Sequence, residues 1–589
     1  MTADGGRAPR TVAEALVDVL CDWNIRYLFG ISGANIEHLH DAVHRRGGDR
    51  LTSVLAKRED GAAFMADGRA RAHRTLGVCC STSGGAMMNL TVGLAESLAD
   101  GIPVLAVVGQ PPAALDGLGS FQESTGRPGT VDAAALLGAV TKYTGRVDDP
   151  SEFWTHLGAA VTAAVSHRPG PVALLIPRDV FERPAPPPPA TWPAEPAGFA
   201  PRLEPDPGSV RTLFEALRAA RRPMLILGPQ TRTAASGGMV VDVARRARIP
   251  MAALLSNRGD LPSDDPLDLG TFGACGHPSV HHYASRADLV LVAGSDLAAP
   301  YRGPLTEVPA ERIAVVTWDG SIARKVFPSS LVIEADVGLT FAALGQLLDE
   351  RPFTAPDPGR YERSEFAPQL EIAAEADDVP ADPLLASEAV ALLEAYLRPG
   401  DRVVTDAGNC GAYAAHWMTL PPGATSYIAF GMGGMGYSVP GAVGVQLGAA
   451  RGRTMVVVGD GAFLMNGVEL HTAVELRLPI LYVVFNNLGH GMCVSRQRLM
   501  FDGRIEASRY RPPDLVALAR ACGTADELWT GTAGSATQLA ARLAEYRAWG
   551  DDRPGVLELR LPRSEVPPMM PFLAADAPIR AVRTARTSR

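Results

Sequence analysis

The chain has 589 residues, 47% apolar and 20% charged, a balance that predicts a globular protein of three or four domains, each with its own core. Lys+Arg 55 against Asp+Glu 64 leaves a formal net charge of -9, without the basic footprint of a nucleic-acid binder. No apolar run reaches the roughly 18 residues that span a bilayer, and the first ten residues lack a signal peptide's apolar stretch. The seven cysteines are scattered without a CxxC pair, so neither a disulfide framework nor a zinc site is expected. These features predict a cytoplasmic enzyme or a large scaffold, with no membrane and no nucleic-acid partner.

The predicted elements alternate short apolar strands with longer helices. In chain order, Leu76-Gly77-Val78-Cys79-Cys80 and Val104-Leu105-Ala106-Val107-Val108 read as buried strands, with helical spacing from Asn89 to Leu98 between them. The stretch 184–207, which includes Pro186-Pro187-Pro188-Pro189, reads as an extended linker. Met224-Leu225-Ile226-Leu227 and Leu289-Val290-Leu291-Val292 supply strands of a second body. A second linker, 351–370, holds Pro352, Pro356 and Pro358. The last body offers strands from Met455 to Val458 and from Ile480 to Phe485, with a helix from Val468 to Leu476 between. The breaks predict an N-terminal domain over 1–183, a central domain over 208–350 and a C-terminal domain over 371–589. Strands alternating with helices predict an α/β fold of three doubly wound parallel-sheet domains, whose ligands gather at the carboxyl ends of the strands.

Gly459-Asp460-Gly461-Ala462-Phe463 follows the strand Met455 to Val458, and Asn486-Asn487 ends the next strand. The separation of Asp460 and Asn487 is 487 − 460 = 27 residues, about one βαβ crossover, so both arrive at one sheet edge as oxygen ligands. Magnesium favours such hard oxygens and completes its shell with phosphate oxygens. Gly459 and Gly461 would let the backbone approach a diphosphate. Either fragment alone is more often a tight turn or a helix cap; together, at this spacing, they point to a metal and diphosphate site.

The stretch Gly459 to Asn487 resembles the diphosphate motif of thiamine diphosphate enzymes, which begins GDG and ends NN. The resemblance implies magnesium held by Asp460, Asn487 and the Gly489 carbonyl, with Gly459, Gly461, Ala462, Gly491 and Met492 about the cofactor. Asn466 matches an asparagine inside the motif. In the first body, Lys57-Arg58-Glu59-Asp60-Gly61-Ala62-Ala63 resembles the family's glutamate segment. By that resemblance Glu59 hydrogen-bonds the aminopyrimidine and favours the imino tautomer that removes the thiazolium C2 proton. Without such partners, a glutamate heading an alanine-rich helix is ordinarily a charge favouring the helix dipole. Phe29-Gly30-Ile31-Ser32-Gly33-Ala34 resembles the family's FGIPGG loop and Ser81-Thr82-Ser83-Gly84-Gly85-Ala86-Met87-Met88-Asn89 its TSGPGATN loop. Gly33, Ser83 and Asn89 are thereby implied in cofactor binding. Gly431-Met432-Gly433-Gly434-Met435-Gly436-Tyr437 resembles GGLGTMGYG, which puts Gly433 beside the cofactor and Met435 under its bend. Gly408 and Asn409 stand where relatives approach the pyrimidine.

Ser120-Phe121-Gln122-Glu123, followed by Thr141-Lys142-Tyr143, resembles the acetolactate (acetohydroxyacid) synthase branch. The resemblance implies Gln122 facing the substrate, Phe121 at the entrance and Lys142 as a nearby positive charge. It implies decarboxylation of a 2-oxo acid, with pyruvate as donor, and transfer of the two-carbon unit to a second carbonyl. A homodimer sharing each site between two chains, or a homotetramer, is the implied assembly. Three departures stand out. Gln122 and Thr141 are 141 − 122 = 19 residues apart, which predicts a lengthened loop. Arg496 replaces the synthase tryptophan, which suggests an anionic or bulkier acceptor and a role in specialised metabolism. Gly294-Ser295-Asp296-Leu297 stands where flavin-containing members present Gly-Ala-Arg-Phe, so FAD stays an open alternative. His490 is a further substrate candidate, whereas His277, His281 and His282 read as surface or core histidines. The other readings are a decarboxylase or flavin-linked oxidase of the same family, or a non-catalytic assembly subunit.

Overall fold

The computed structural model describes residues 10–232, 236–356, 382–563 and 565. Residues 1–9, 233–235, 357–381, 564 and 566–589 lie outside the described residues, and with them most of the expected second linker and both ends of the chain. Among the described residues, eighteen strands form three six-stranded sheets, and every strand pairing is parallel. Three doubly wound α/β layers are therefore present, as the alternation of strands and helices predicts.

The first sheet holds β1 (Tyr27–Gly30), β2 (Thr52–Leu55), β3 (Gly77–Ser81), β4 (Val104–Gln110), β5 (Tyr143–Arg146) and β6 (Val172–Pro177), in the order β2-β1-β3-β4-β6-β5. The second holds β7 (Pro223–Leu227), β8 (Met251–Leu254), β9 (Asp268–Phe272), β10 (Leu289–Ala293), β11 (Ile313–Thr317) and β12 (Leu331–Glu334), ordered β12-β11-β10-β7-β8-β9. The third holds β13 (Arg402–Thr405), β14 (Thr425–Ile428), β15 (Thr454–Gly459), β16 (Ile480–Asn486), β17 (Trp529–Ala533) and β18 (Gly555–Arg560), ordered β14-β13-β15-β16-β18-β17. The central strands β3, β4, β6 and β16 are buried along their whole length, which is why they read as continuous apolar runs rather than as alternating ones.

The first and third bodies share one apolar core. The Glu59–His73 helix of the first packs on the Ser438–Gln446 helix of the third, and glycine sets how close they come. A Cβ on Gly444 would stand 1.9 Å from the Met65 carbonyl oxygen, and one on Gly68 would stand 2.3 Å from that of Gly441. Neither position tolerates a side chain at this separation, because the obstacle is backbone.

The proline-rich stretch is held to the first body through an aromatic cluster. Trp192 stacks on Trp23, with ring centroids 6.1 Å apart, and meets Trp154 and Phe199 edge-on. The indoles of Trp23 and Trp154 donate to the carbonyls of Pro193 and Pro186. Proline carbonyls keep their acceptor capacity although the ring nitrogen has no proton to donate.

Candidate active site

In both outer sheets most of the residues singled out by sequence follow the carboxyl ends of strands. In the first, Gly33 follows β1, Glu59 follows β2, Ser83 follows β3 and Gln122 follows β4. In the third, Gly408 and Asn409 follow β13, Gly433 and Met435 follow β14, Asp460 follows β15 and Asn487 follows β16. Both sheets reverse their winding at this edge, between β1 and β3 and between β13 and β15, where doubly wound sheets open a crevice.

β15 and β16 are neighbours with Gly459 opposite Phe485, so Asp460 and the Asn486-Asn487 turn emerge side by side. Asp460 is 2% exposed and its Oδ2 accepts the Gly489 amide at 3.2 Å. Burial pushes its carboxyl up from the ordinary value, opposed by the Tyr510 hydroxyl and by the Gly461 and Gly489 amides. Asn486 turns away from the edge: its amide donates to Glu558 at 2.7 Å and its oxygen accepts the Leu488 amide at 3.1 Å. Asn487 is left for the cleft. A Cβ on Gly491 would lie 2.4 Å from Asn487 Nδ2 and 2.8 Å from Asn409 Nδ2, so both side-chain amides converge on that glycine. A Cβ on Gly461 would stand 2.8 Å from the His490 ring, so that side chain lies directly beside the glycine. Met435 comes to the same place, its methyl 3.5 Å from that position.

Asn409 Oδ1 and His490 Nδ1 are buried without a hydrogen-bond partner in this cleft. A Cβ on Gly408, Gly433 or Gly434 would meet nothing within 4 Å. Unsatisfied buried polar atoms beside open space fit a polar ligand that supplies their partners. Among the described residues no three His, Cys, Asp or Glu side chains form a metal cage. One carboxylate with amide and carbonyl oxygens suits magnesium, which draws its remaining ligands from phosphate and water.

In the first body, Glu59 Oε2 accepts the Asn89 amide at 2.8 Å. Asn89 reaches it from the Gly85–Asp100 helix. Ser83 is fully buried and its hydroxyl accepts the Asn35 amide at 2.8 Å, so its side chain secures the loop. Gly33 lies under the same loop, where a Cβ would strike Thr82 at 2.7 Å. Gln122 packs against Gly84 in a left-handed conformation with φ 60, and Phe121 is 82% exposed beside it.

Lys142 is placed differently from the sequence expectation. Its ammonium donates to the carbonyls of Ala163, Ser166 and Arg168 at 2.5, 2.9 and 2.7 Å. These close the carboxyl end of the Phe153–Val165 helix, where a cation satisfies otherwise orphaned carbonyls. The charge expected near a substrate is engaged as a helix cap. Arg496 is half-buried on the Gly491–Met500 helix, and its guanidinium has a contact of 3.3 Å to Cys493 Sγ.

Several residues escaped the sequence reading. Gln497 pairs with the main chain of Glu506 through two hydrogen bonds of 3.0 Å, and the His490 amide donates to the Ser508 carbonyl at 2.8 Å. This return segment brings the Tyr510 ring edge-on to His490 at 5.9 Å. Asp406 accepts the amides of Gly436 and Ser438 at 2.9 and 2.8 Å and anchors the Met435 loop from below. Only Gln497 lies close enough in sequence to its partner for a local signal.

In the middle body the winding reverses between β10 and β7. There Gln230 donates to Thr317 Oγ1 at 3.0 Å and accepts the Trp318 amide at 2.9 Å. A Cβ on Gly228 would lie 2.4 Å from the Gly294 carbonyl oxygen, and Ser295 and Leu297 are fully buried. Among the described residues, the ends of β7 and β10 thus meet directly at the Gly294-Ser295-Asp296-Leu297 segment. All seven cysteines are free, and no helix among the described residues is long and apolar enough to cross a membrane.

Residues 10–131 match the thiamine pyrophosphate enzyme N-terminal TPP binding domain, 210–344 the central domain and 406–559 the C-terminal TPP binding domain. The chain belongs to the thiamine pyrophosphate enzyme family. It is 28% identical over 529 residues to an "Acetolactate synthase large subunit" of Parasynechococcus marenigrum, covering 88% of this chain and 83% of that one. It is 28% identical to the "Acetolactate synthase isozyme 3 large subunit" of Escherichia coli, covering 87% and 88%. It is also 30% identical to a Pseudomonas aeruginosa protein named "Probable 2-ketoarginine decarboxylase AruI", covering 87% and 89%. Within the family, this is an acetolactate synthase-like enzyme.

Proposed function

We propose that the protein decarboxylates a 2-oxo acid, with pyruvate as the donor, and transfers the two-carbon unit to a second carbonyl in specialised metabolism in the cytoplasm. The observation that carries this reading is the pair of buried, partnerless atoms beside Asp460, Asn409 Oδ1 and His490 Nδ1, in a cleft that glycines leave open. Asp460, Asn487 and the Gly489 carbonyl would hold magnesium and through it the diphosphate. Bound there, thiamine diphosphate supplies the electron sink for loss of carbon dioxide. Glu59 holds a proton at the aminopyrimidine, its carboxylate oriented by Asn89. Met435 props the cofactor, Gln122 orients the second carbonyl, and Phe121 keeps water from the entrance. Arg496 would pair with an anionic group on the acceptor.

The site is completed by a second copy of the chain, in a homodimer that can pair into a homotetramer. Supporting this, apolar side chains stand exposed on both bodies: Val92 at 54% and Phe121 at 82% in the first, Met432 at 63% and Val468 at 53% in the third. Sedimentation showing only monomer in the cofactor-loaded protein would count against it.

The decisive assay incubates the protein with pyruvate, thiamine diphosphate and magnesium and follows products by mass spectrometry. A two-carbon adduct, absent in Glu59→Gln, supports the reading. Carbon dioxide with acetaldehyde alone would replace it by a plain decarboxylase, the second reading, which the 30% identity to a named decarboxylase favours.

A further inference from the structure

We propose that Glu123 is the positioning residue that holds Gln122 in place for the ligation step, a role that rests on the carboligase reading above. The lengthened loop is organised around this one carboxylate. It accepts the amides of Gly117 and Gly119 at 2.8 Å each, from the chain entering the loop. From the chain leaving, it accepts the Thr125 hydroxyl at 2.6 Å and Arg127 Nε at 3.1 Å. Its side chain is 1% exposed, between the half-buried Gln122 and Arg127.

Four donors drawn from both arms make Glu123 a hub rather than a surface charge, and an ionised carboxylate accepts each of them more strongly than a neutral amide would. The next residue fixes the loop to the sheet. Ser124 Oγ donates to Gln110 Oε1 at 2.7 Å at the end of β4, and the Ser124 carbonyl accepts the Ala133 amide at 3.0 Å. Gln122 precedes both anchors and adopts φ 60, a conformation that a residue with a side chain keeps only where its surroundings hold it. The anchored backbone presses the Gln122 side chain against Gly84, at the head of the helix that carries Asn89 to Glu59. Glu123 thus acts on the neighbouring Gln122 through the loop backbone, with its carboxylate bonded to Gly117, Gly119, Thr125 and Arg127 and not to the Glu59–Asn89 pair.

The test compares wild type with Glu123→Ala, Glu123→Asp and Thr125→Val, each with thiamine diphosphate and magnesium, over pyruvate, 2-oxobutyrate and 2-oxo-5-guanidinovalerate. Carbon dioxide and ligation product are counted separately, thiamine diphosphate affinity is titrated by fluorescence, and thermal midpoints are recorded. Glu123→Ala should lower the ratio of adduct to carbon dioxide about tenfold or more, the scale of a misplaced orienting group, with cofactor affinity retained. Glu123→Asp should recover part of the ratio, and Thr125→Val should lower it less, which keeps the test open if Glu123→Ala does not fold. An unchanged ratio in both Glu123→Ala and Thr125→Val, or one that falls only in step with cofactor affinity and thermal midpoint, overturns the positioning role alone. A wild type that binds no thiamine diphosphate, or forms no adduct from any donor, overturns the carboligase reading and this role with it.

Discussion

Glu469 of the third body accepts the main-chain amides of Lys57 and Arg58, both at 2.9 Å, immediately before Glu59. Its carboxylate is fully buried, and Gly61 leaves the room for it: a Cβ there would strike Glu469 Oε1 at 2.1 Å. The amino end of the Glu59–His73 helix is therefore held by a carboxylate more than 400 residues away in sequence. Glu469→Ala would leave two amides without their acceptor, at about 1–3 kcal/mol for a buried group. The urea midpoint should fall accordingly, and turnover should drop about tenfold with cofactor affinity nearly unchanged, as expected for a displaced Glu59. An unaltered midpoint would show that water replaces the carboxylate without cost.

Glu59→Gln keeps the shape and the Asn89 contact but cannot hold the required charge. Turnover should fall roughly 10²–10⁴-fold, the range for losing a positioned acid or base. Asn89→Ala should act in the same direction and less severely, since it removes only the 2.8 Å donor that orients Glu59. Steady-state kinetics at saturating thiamine diphosphate separates the two from simple loss of cofactor.

Gly491→Ala introduces a methyl 2.4 Å from Asn487 Nδ2 and 2.8 Å from Asn409 Nδ2. Both amides must move, one of them the expected magnesium ligand. Thiamine diphosphate affinity in the presence of magnesium should weaken about tenfold or more, about 1.4 kcal/mol for each factor of ten, while the thermal midpoint of the unliganded protein changes little. Equal affinity by isothermal titration would remove Asn487 from the metal set.

Glu96 grips the loop that leads to Met435, accepting the amides of Gly431 and Met432 at 2.8 and 3.1 Å. Burial, with Asp100 adding to it and Arg71 opposing, raises its carboxyl from the ordinary 4.5 to about 7. The folded value lies above the unfolded one, so the fold favours the protonated form. That contribution to stability is present in full below about pH 4.5 and is lost as pH rises through about 7. The urea midpoint should decline across this window, and Glu96→Gln should flatten the decline. Flattening should be partial, because burial also raises Glu565 to about 7 with the same sign. A pH profile identical to wild type would show that Glu96 titrates normally.

Much of this site is legible in the sequence because its parts sit at strand ends. A βαβ unit of fixed length pairs β15 with β16, so Asp460 and the Asn486-Asn487 turn emerge side by side for reasons contained in 27 residues of sequence. The same logic places Gly33, Glu59, Ser83 and Gln122 along one edge of the first sheet. The predicted strand at Ile480 to Phe485 gains only Asn486 in the structure, since long apolar runs bounded by turn residues have little alternative.

Side-chain partners across the fold were decided by tertiary structure alone. Lys142 looked like a charge for substrate, yet three carbonyls at a helix end claim it, and no local pattern reports where that helix stops in space. Glu469, Glu96 and Asp406 resemble ordinary acidic residues, but each takes two amides of a loop that carries the site. Periodicity along the chain determined which residues stand at the sheet edges. Which buried carboxylate each of these amides would find depended on how the first and third bodies pack and how the third folds on itself, because a hydrogen bond is set by distance in space and not by distance along the chain.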